Sequence, residues 1–438
     1  MSNGAVPAAT SGTKGAGRAP FHVLILPSEL YCPPRLPLHG IFQRHQAEVL
    51  ASRGIRTGVA SFGYIPWRFL LSAFPYSERE TAKGVTALRR FARPPIPARA
   101  AYAAFRERFL FRFLKLVENY IEQFGRPDVV HAHNTLYAGL VAARIRRKWG
   151  IPFLVTEHST AFEAESAVRW NTAQVRDCLG TASVVSAVGA SIGRKVEARA
   201  PTGTACVPFR NVLDPAVEDE ARRTASRSGR NGGSLTFLTI GGLVPRKDHS
   251  LLLRAFSRAF GKDPAVKLRI GGDGPLRRAL EREALGLGLS RQVQFLGALG
   301  TDQVVRELKH CDVFALSSAS ETFGVVLIEA MAFGKPVIST RCGGPEEFVD
   351  ERNGLLVLHE ESAFAEGLAK IRTATFDPEA IRERCLESWG ADAFYRRATE
   401  LYEKVVERDR GPTGRGSARS VKAAWSGGRA PGEWRPSR

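Results

Sequence analysis

SSASETFGVVLIEAMAFGKPVIST, residues 317–340, carries the most specific local pattern in the chain. A small polar turn runs into Glu321, an apolar stretch follows, and Gly334, Lys335 and Pro336 interrupt it before Val337–Thr340. Glycine and proline end helices, and a β-branched run favours a strand, so a helix ending near Phe333 and then a buried strand are predicted. Glu321 stands just before that helix and Glu329 lies eight positions on within it, within about 80° around a helical axis. An acid flanked by Phe323, Val325, Val326, Leu327 and Ile328 needs hydrogen-bond donors if it is buried. Ligand hydroxyls would serve; a solvent-facing Glu on an amphipathic helix is the alternative.

Strand-like and helical stretches alternate outward from this segment. Before it come LTFLTI (235–240), VKLRIGG (266–272), VQFLG (293–297) and DVFAL (312–316), separated by helical stretches, and after it GLLV (354–357) and further helices ending in WGADAFYRRATELYEKVV (389–406). The first half repeats the rhythm with FHVLIL (21–26), RTGVASFG (56–63), DVVHAH (128–133), PFLVTEH (152–158), TASVVSAV (181–188) and GTACVPF (203–209). Such alternation indicates parallel sheets covered by helices, an α/β fold. A chain of 438 residues exceeds what one core usually supports. Residues 217–234 are polar, rich in Arg, Ser and Gly, and offer no packed core of their own. The expected order is therefore a disordered leader (1–20), a first domain (21–208), a connection (209–234), a second domain (235–388), a terminal helix (389–408) and a disordered basic tail (409–438). A cleft between two such domains is the default place for a ligand.

The formal charge of +19 is concentrated. Residues 61–115 hold eleven Lys and Arg against three Glu, and residues 410–438 hold seven against one. No nucleic-acid reading module accompanies them, so no specific nucleic acid is expected. FGYIPWRFLLSAF and AAFRERFLFRFLKL interleave Arg with bulky apolar residues, which suits an anionic membrane surface or simply the burial of a helix against a sheet. No stretch approaches the twenty uncharged apolar residues of a membrane-spanning helix, and the first twenty residues lack a secretory apolar core. Six scattered cysteines without a CxxC pair argue against a disulfide framework or thiolate metal site and fit a reducing cytoplasm.

Glycine pairs recur at strand ends. Gly241 and Gly242 follow LTFLTI, with Arg246 and Lys247 four to six residues on; Gly271, Gly272 and Gly274 follow the next strand, and Gly343 and Gly344 precede another predicted helix. Backbone without Cβ approaches a diphosphate closely, nearby cations offset its charge, and free N–H groups at a helix start receive anionic oxygens. Merely tightening a strand-to-helix turn is the alternative for each pair, and it weighs more for the 271–274 loop than for Gly241 and Gly242. Neither GxGxxG nor GxxxxGK[ST] is present. In the first half, Gly40 sits between a strand and a helix, His131 and His133 end one strand, and Glu157 and His158 end the next. Alternation puts His131 and His133 on one side and points Glu157 and His158 apart. These groups suit hydrogen bonds to sugar or phosphate, or an ordinary core; no compact three-ligand set marks a metal.

Taken together, residues 21–405 resemble the retaining glycosyltransferases of the two-domain GT-B fold. The resemblance rests on ETFGVVLIEAMAFGKPVIST with GGPEEFVDERNGLLV, an E-x7-E element and its glycine-rich sequel, preceded in order by GGLVPRKDHSLLLRAF, RIGGDGPLRRAL and VQFLG. HG-x-F, DVVHAHNTLYAGLVA and IPFLVTEH extend it more loosely into the first half. It implies two Rossmann-like domains facing across a cleft, the second binding a nucleotide sugar and the first the acceptor, with the terminal helix crossing back to the first. Glu329 then matches the Glu that holds the ribose hydroxyls, and Glu321, with Phe323, Gly324 and Val325, lies at the donor sugar. Lys247 matches the diphosphate-contacting Lys, with Arg246, Gly241, Gly242 and Gly272 around it, and Gly40 approaches the donor phosphates. His158 matches the His near the reacting centre; His39, His131 and His133 fall on the acceptor side. Gly242 departs from the pattern, standing where many relatives carry an Arg, and the inter-domain turn keeps only Asn211 and Asp214 of its usual form.

The resemblance further implies transfer with retained anomeric configuration from a nucleoside-diphosphate sugar, without metal or other cofactor, to a hydroxyl of a glycan or lipid-linked acceptor in polysaccharide or glycolipid synthesis. A cytoplasmic place follows, at the inner face of the plasma membrane if the basic segments bind lipid. A nucleotide-sugar epimerase-like enzyme and a non-catalytic sugar-nucleotide-binding scaffold are the alternatives.

Overall fold

Apolar strands too hydrophobic for one wet face must be covered on both sides, and the chain achieves this twice. A computed structural model describes residues 21–28, 31, 40–64, 77–92, 102–158, 171–224 and 234–410. The first sheet contains β1 (His22–Leu26), β2 (Arg56–Tyr64), β3 (Ser77–Ala82), β4 (Val85–Ala92), β5 (Val129–His133), β6 (Phe153–Glu157), β7 (Val184–Ala187) and β8 (Cys206–Pro208), in the order β3-β4-β2-β1-β5-β6-β7-β8. Only the edge strand β3 is antiparallel. Its helices are α1 (Ile41–Ser52), α2 (Tyr102–Phe124), α3 (Leu140–Trp149), α4 (Thr172–Thr181) and α5 (Ala190–Glu197).

After α6 (Pro215–Arg223) the second sheet is built from β9 (Leu235–Ile240), β10 (Val266–Gly271), β11 (Val293–Gly297), β12 (Val313–Leu316), β13 (Val337–Thr340) and β14 (Gly354–Val357). Its order is β11-β10-β9-β12-β13-β14, parallel throughout. Helices α7 (His249–Phe260), α8 (Arg277–Gly286), α9 (Thr301–His310), α10 (Val325–Ala332), α11 (Glu361–Thr373) and α12 (Pro378–Trp389) accompany it. Each sheet thus starts in its middle, grows to one edge and then returns to grow to the other. Between β1 and β5, and again between β9 and β12, neighbouring strands lead to opposite faces and open a crevice at their carboxyl ends. Two Rossmann-like sheets facing across a cleft result.

The last helix, α13 (Ala391–Arg410), belongs to the first sheet's core rather than the second. Phe394, Ala398, Leu401, Tyr402 and Val405 pack among Val23, Ile25, Val129, Leu154 and Val184. Among the described residues the chain passes between the sheets twice, and the two passages touch: Leu213 N–H donates to the Trp389 carbonyl at 3.0 Å. The Glu218 carboxylate accepts the Ala391 N–H at 2.7 Å and the Arg222 guanidinium at 2.7 and 3.0 Å, fixing the start of α13 against α6.

Several elements depart from the sequence reading. The polar stretch 217–234 does contribute to a core, because α6 buries Val217 and Ala221 beside Leu213 and Leu327. The β3–β4 hairpin falls inside the basic segment 61–115, where its Arg-rich strands hide the alternation, and α4 was not marked by any strong periodicity. The aromatic stripe of α2 is divided: Phe109, Phe113, Leu116 and Tyr120 bury against the first sheet, while Phe111 stays 58% exposed. The segments 1–20 and 411–438, most of FGYIPWRFLLSAF, and His39 lie outside the described residues.

Phe394 is fully buried. Phe394→Ala should cost about 3–5 kcal/mol, as large-to-small core changes do. Urea titration would show this as a lowered unfolding midpoint for the first-sheet core.

Candidate functional site

The crevice of the second sheet lies between two loops, one after β9 and one after β12, and hydrogen bonds join them along their length. Ser317 Oγ donates to the carbonyls of Lys247 and Asp248 at 3.1 and 2.9 Å. Ala319 N–H donates to the Arg246 carbonyl at 2.9 Å, and Arg246 Nη1 donates to the Ser320 carbonyl at 3.0 Å. Where the loops meet, Lys247 Nζ pairs with Glu321 Oε1, Ser318 Oγ donates to the same oxygen at 2.7 Å, and Arg246 Nη1 lies 3.6 Å from Glu321 Oε2. The Glu321 backbone is held too, its N–H by the Cys342 carbonyl and its carbonyl by Gly344 N–H, each at 2.8 Å. Two cations against one carboxylate leave this cluster one positive charge to offer, since the Glu321 charge already faces Lys247.

The glycines around the cluster divide into two kinds. A Cβ on Gly272, at φ 128°, would stand 1.9 Å from the Gly241 carbonyl oxygen, and one on Gly274 would stand 2.5 Å from that of Leu243. These two let neighbouring loops touch. A Cβ on Gly242 meets nothing within 4 Å, and one on Gly241 meets only the Lys247 side chain at 3.7 Å or beyond, an ordinary contact. Gly324, at φ 93°, turns the chain into α10 without any side-chain cap on that helix; Leu327 N–H donates to the Gly324 carbonyl at 2.9 Å, and the N–H groups of Val325 and Val326 have no side-chain partner among the described residues. Val325 opens the helix, and Phe323 is buried against Phe348 at 5.1 Å between centroids. The helix expected after Gly343 and Gly344 is only a four-residue 3₁₀ turn, Gly344–Glu347. The N–H groups expected there to receive anionic oxygens are occupied, that of Gly343 by Glu346 Oε1 at 3.1 Å and that of Gly344 by Glu321.

Glu329 is half-buried on α10 and has no hydrogen-bond or ion-pair partner among the described residues. Burial, and secondarily the charge of Asp214, raise its pKa to about 8. Asp214 caps α6 through Ala216 N–H at 2.9 Å and lies 3.6 Å from His45 Nε2 of α1. Gly40, at φ 68°, starts α1. Glu329 therefore borders the passage between sheets, next to the helix that Gly40 begins.

At the carboxyl edge of the first sheet three histidines form a column. His131 stacks on His133 with centroids 4.2 Å apart, and His133 on His158 at 5.0 Å. Both His131 nitrogens are used, Nδ1 with Tyr402 Oη at 3.0 Å and Nε2 with Thr156 Oγ1 at 2.8 Å. His131 is thus a core residue tying β5 to α13, and the acceptor contact anticipated for it has no free nitrogen to use. His133 Nδ1 meets His158 Nε2 at 2.9 Å, whereas His133 Nε2 is buried without a partner among the described residues. A bare lone pair tolerates such a place better than an unmet N–H, so His133 carries its proton on Nδ1 and donates it to His158. His158 is then protonated on Nδ1. Burial lowers its pKa to about 4, and it is neutral at physiological pH. Glu157 points the other way and accepts the Thr135 N–H at 2.9 Å. Asn134 (φ 72°) and Tyr137 (φ 60°) hold the following turn in the left-handed half of conformational space.

The two edges meet beside β7. Gly189, just beyond β7, packs so closely that a Cβ would lie 2.6 Å from Glu347 Oε1 and 3.0 Å from the Thr322 carbonyl. Glu347 Oε1 accepts the Ala190 N–H at the start of α5. β6 and β7 are neighbours, with Glu157 opposite Ala187, so the loop carrying Glu321 touches the first sheet one strand from His158. Sequence reading gave Gly189 and Glu347 no role. A glycine needed for contact between distant segments carries no local signal, and Glu347 looked like one more acid in GGPEEF.

Among the described residues no three His, Cys, Asp or Glu side chains converge as a metal ion requires. Residues 40–211 match the Glycosyl transferase 4-like domain family and residues 221–384 the Glycosyl transferases group 1 family. A D-inositol 3-phosphate glycosyltransferase of Actinosynnema mirum is 31% identical over 280 residues, 59% of this chain and 67% of that protein. An alpha-monoglucosyldiacylglycerol synthase of Streptococcus pneumoniae is 27% identical over 334 residues, 71% of this chain and 74% of that protein. Sucrose-phosphate synthase from Thermosynechococcus elongatus shares the fold with a TM-score of 0.66 at 20% identity, over 88% of this chain and 99% of that one. The Anabaena protein HepE, solved with UDP-glucose, does so with a TM-score of 0.63 at 18% identity, over 87% and 99%. Two switch-point crevices facing each other, and family matches along both, lead to one assignment: this chain belongs to the group 1 glycosyltransferases and carries the GT-B fold.

Proposed function

We propose that the chain is a metal-independent, retaining glycosyltransferase that delivers its sugar to a hydroxyl of a glycan or lipid-linked acceptor. One observation carries this reading: the Lys247–Glu321–Arg246 cluster and the uncapped start of α10 share one crevice, whose loop touches the first sheet beside His158. The diphosphate lies against the remaining positive charge of the cluster and the free N–H groups of α10, with Gly241 and Gly40 allowing close backbone approach. Glu321, Phe323, Gly324 and Val325 border the donor sugar. Glu329 receives the ribose hydroxyls, which explains an acid held half-buried with nothing yet to accept from.

In the reaction the anomeric C–O bond to the diphosphate breaks and its electron pair leaves with the phosphate. The acceptor hydroxyl attacks the same face, forms the new C–O bond, and gives its proton to the departing phosphate oxygen. Positive charge builds on the sugar ring meanwhile. His158, neutral and donating through Nδ1, orients the donor sugar without adding a cation beside it, and His133 holds it in that tautomer. The contact of Gly189 with Thr322 and Glu347 closes the cleft against water, which would otherwise hydrolyse the donor.

Incubation with UDP-, GDP- and ADP-sugars, followed by proton NMR of the new linkage, tests this directly. Turnover of one donor class without added metal, and a product with the donor's anomeric configuration, are expected. An inverted product, or an isomerised free sugar nucleotide, overturns the reading.

Glu329 gives a pH signature. A carboxyl with its pKa near 8 is protonated at neutral pH, whereas ribose hydroxyls donate best to a carboxylate. Donor binding therefore expels a proton, and affinity should rise from pH 6 to 8 and level off above. The diphosphate of a sugar nucleotide has no proton to lose in that range. Glu329→Gln should flatten this slope and weaken binding about tenfold at pH 8.5, in line with loss of a hydrogen bond to a charged group. Calorimetric titration of the donor reads both effects.

Gly242 has open space around it and no left-handed φ, so a side chain fits there. Gly242→Arg should restore a second uncompensated cation and lower the donor KM several-fold, as one charge-assisted contact would. Steady-state kinetics with the donor varied check it; an unchanged or raised KM places the diphosphate elsewhere.

A further inference from the structure

A cavity of about 710 Å³ lies outside the donor crevice, between α2 and the carboxyl ends of β2 and β4. Arg108, Phe111, Arg112 and Lys115 line it from one face of α2, Arg90 from β4 and Tyr64 from β2. No described Asp or Glu lines it. Lys115 pairs with Glu118 at 2.7 Å, but Arg90, Arg108 and Arg112 have no acidic partner among the described residues. Elsewhere in this chain the opposite habit prevails: the neighbouring Arg89 is buried between Glu78 and Glu80. Like charges four residues apart on a helix repel, and converging them on one hollow without acids is justified by an anion that enters it. The Tyr64 hydroxyl is buried with no hydrogen-bond partner among the described residues, and Arg108 and Arg112 are the charges that act on it. Phe111, 58% exposed at the cavity wall, adds an apolar surface that a small inorganic anion does not need.

We propose that this cavity anchors the phosphate of a lipid-borne acceptor, the guanidinium groups holding the phosphate and Phe111 the first carbons of the lipid. The inference rests on the glycosyltransferase reading above. Four strand spacings separate β4 from β6, about 19 Å along the same carboxyl edge as His158. An acceptor phosphate held here is thus remote from the hydroxyl that reacts, and sugar units between lipid and hydroxyl fill the intervening edge. The substrate class is a lipid phosphate or diphosphate already carrying saccharide, and an enzyme that installs the first sugar on that lipid must act earlier.

The test is calorimetric binding of decyl phosphate below its micelle concentration, beside inorganic phosphate and neutral decyl glucoside. Decyl phosphate should bind at least tenfold more tightly than either. Arg108→Gln with Arg112→Gln should lose at least tenfold of that affinity, whereas Arg278→Gln with Arg282→Gln, an exposed pair on α8, should lose none. If the first pair does not fold, Arg90→Gln from the opposite wall carries the same expectation. Inorganic phosphate binding equally well would reduce the cavity to a bare anion site and overturn the proposal. So would equal binding of decyl glucoside, unchanged binding by the cavity variants, or binding to anionic vesicles without binding to the dispersed probe. Donor turnover by the wild-type protein is measured separately: its absence alongside selective probe binding strikes the catalytic reading, and its presence without probe binding strikes only this one.

Discussion

A carboxylate cannot stay charged inside a protein without partners, and the architecture of the second crevice follows from meeting that demand at Glu321. Lys247 arrives from the loop after β9, Ser318 from its own loop, and Arg246 reaches across from the rim. The attraction repays desolvation only where geometry is fixed and further hydrogen bonds are made. The backbone supplies that rigidity: Glu321 sits in a one-residue parallel bridge with Gly343, and Ser317 anchors the carbonyls on either side of the Lys247–Asp248 bond. Cancelling most of the Lys247 charge in this way leaves a site with a mild positive excess, assembled before any ligand enters.

The first-sheet edge follows a different logic. Its histidines are uncharged: burial lowers the pKa of all three, and for His131 and His133 the neighbouring imidazoles lower it further. Tyr402 fastens the deepest ring from α13, so the last helix of the chain reaches, through His131 and the ring stacked on it, the position of the cleft-facing His158. Terminal-helix packing and cleft geometry are therefore one problem. The helix is part of what holds the imidazole column upright.

The sequence is most legible where local and global preferences agree. ETFGVVLIEAMAFGKPVIST reads as loop, helix and strand because glycine, proline and β-branched residues mark each boundary, and α10 and β13 fall there. Parallel strands such as HVLIL and LTFLTI announce themselves as short apolar runs. The β3–β4 hairpin does not, since Arg89 is buried by ion pairs rather than by apolar neighbours, and charge counts alone do not tell such a strand from a surface segment. The site shows the same division. Glu321, Glu329 and Lys247 stand in motifs with recognisable spacing. That His131 is sealed by Tyr402, and that Gly189 abuts Thr322 and Glu347, depends on residues hundreds or scores of positions apart, which no local pattern encodes.

The paired passages at Leu213–Trp389 and Glu218–Ala391 have a mechanical meaning. Two covalent connections that lie side by side and are hydrogen-bonded to each other define a single line, whereas connections far apart would define a plate. Sliding of one sheet past the other would stretch both at once, but rotation about their common line disturbs neither. Motion of the two halves is thereby channelled into one angular coordinate, and the Gly189–Thr322 contact lies close to that line, since Val188 shares a core cluster with Leu213.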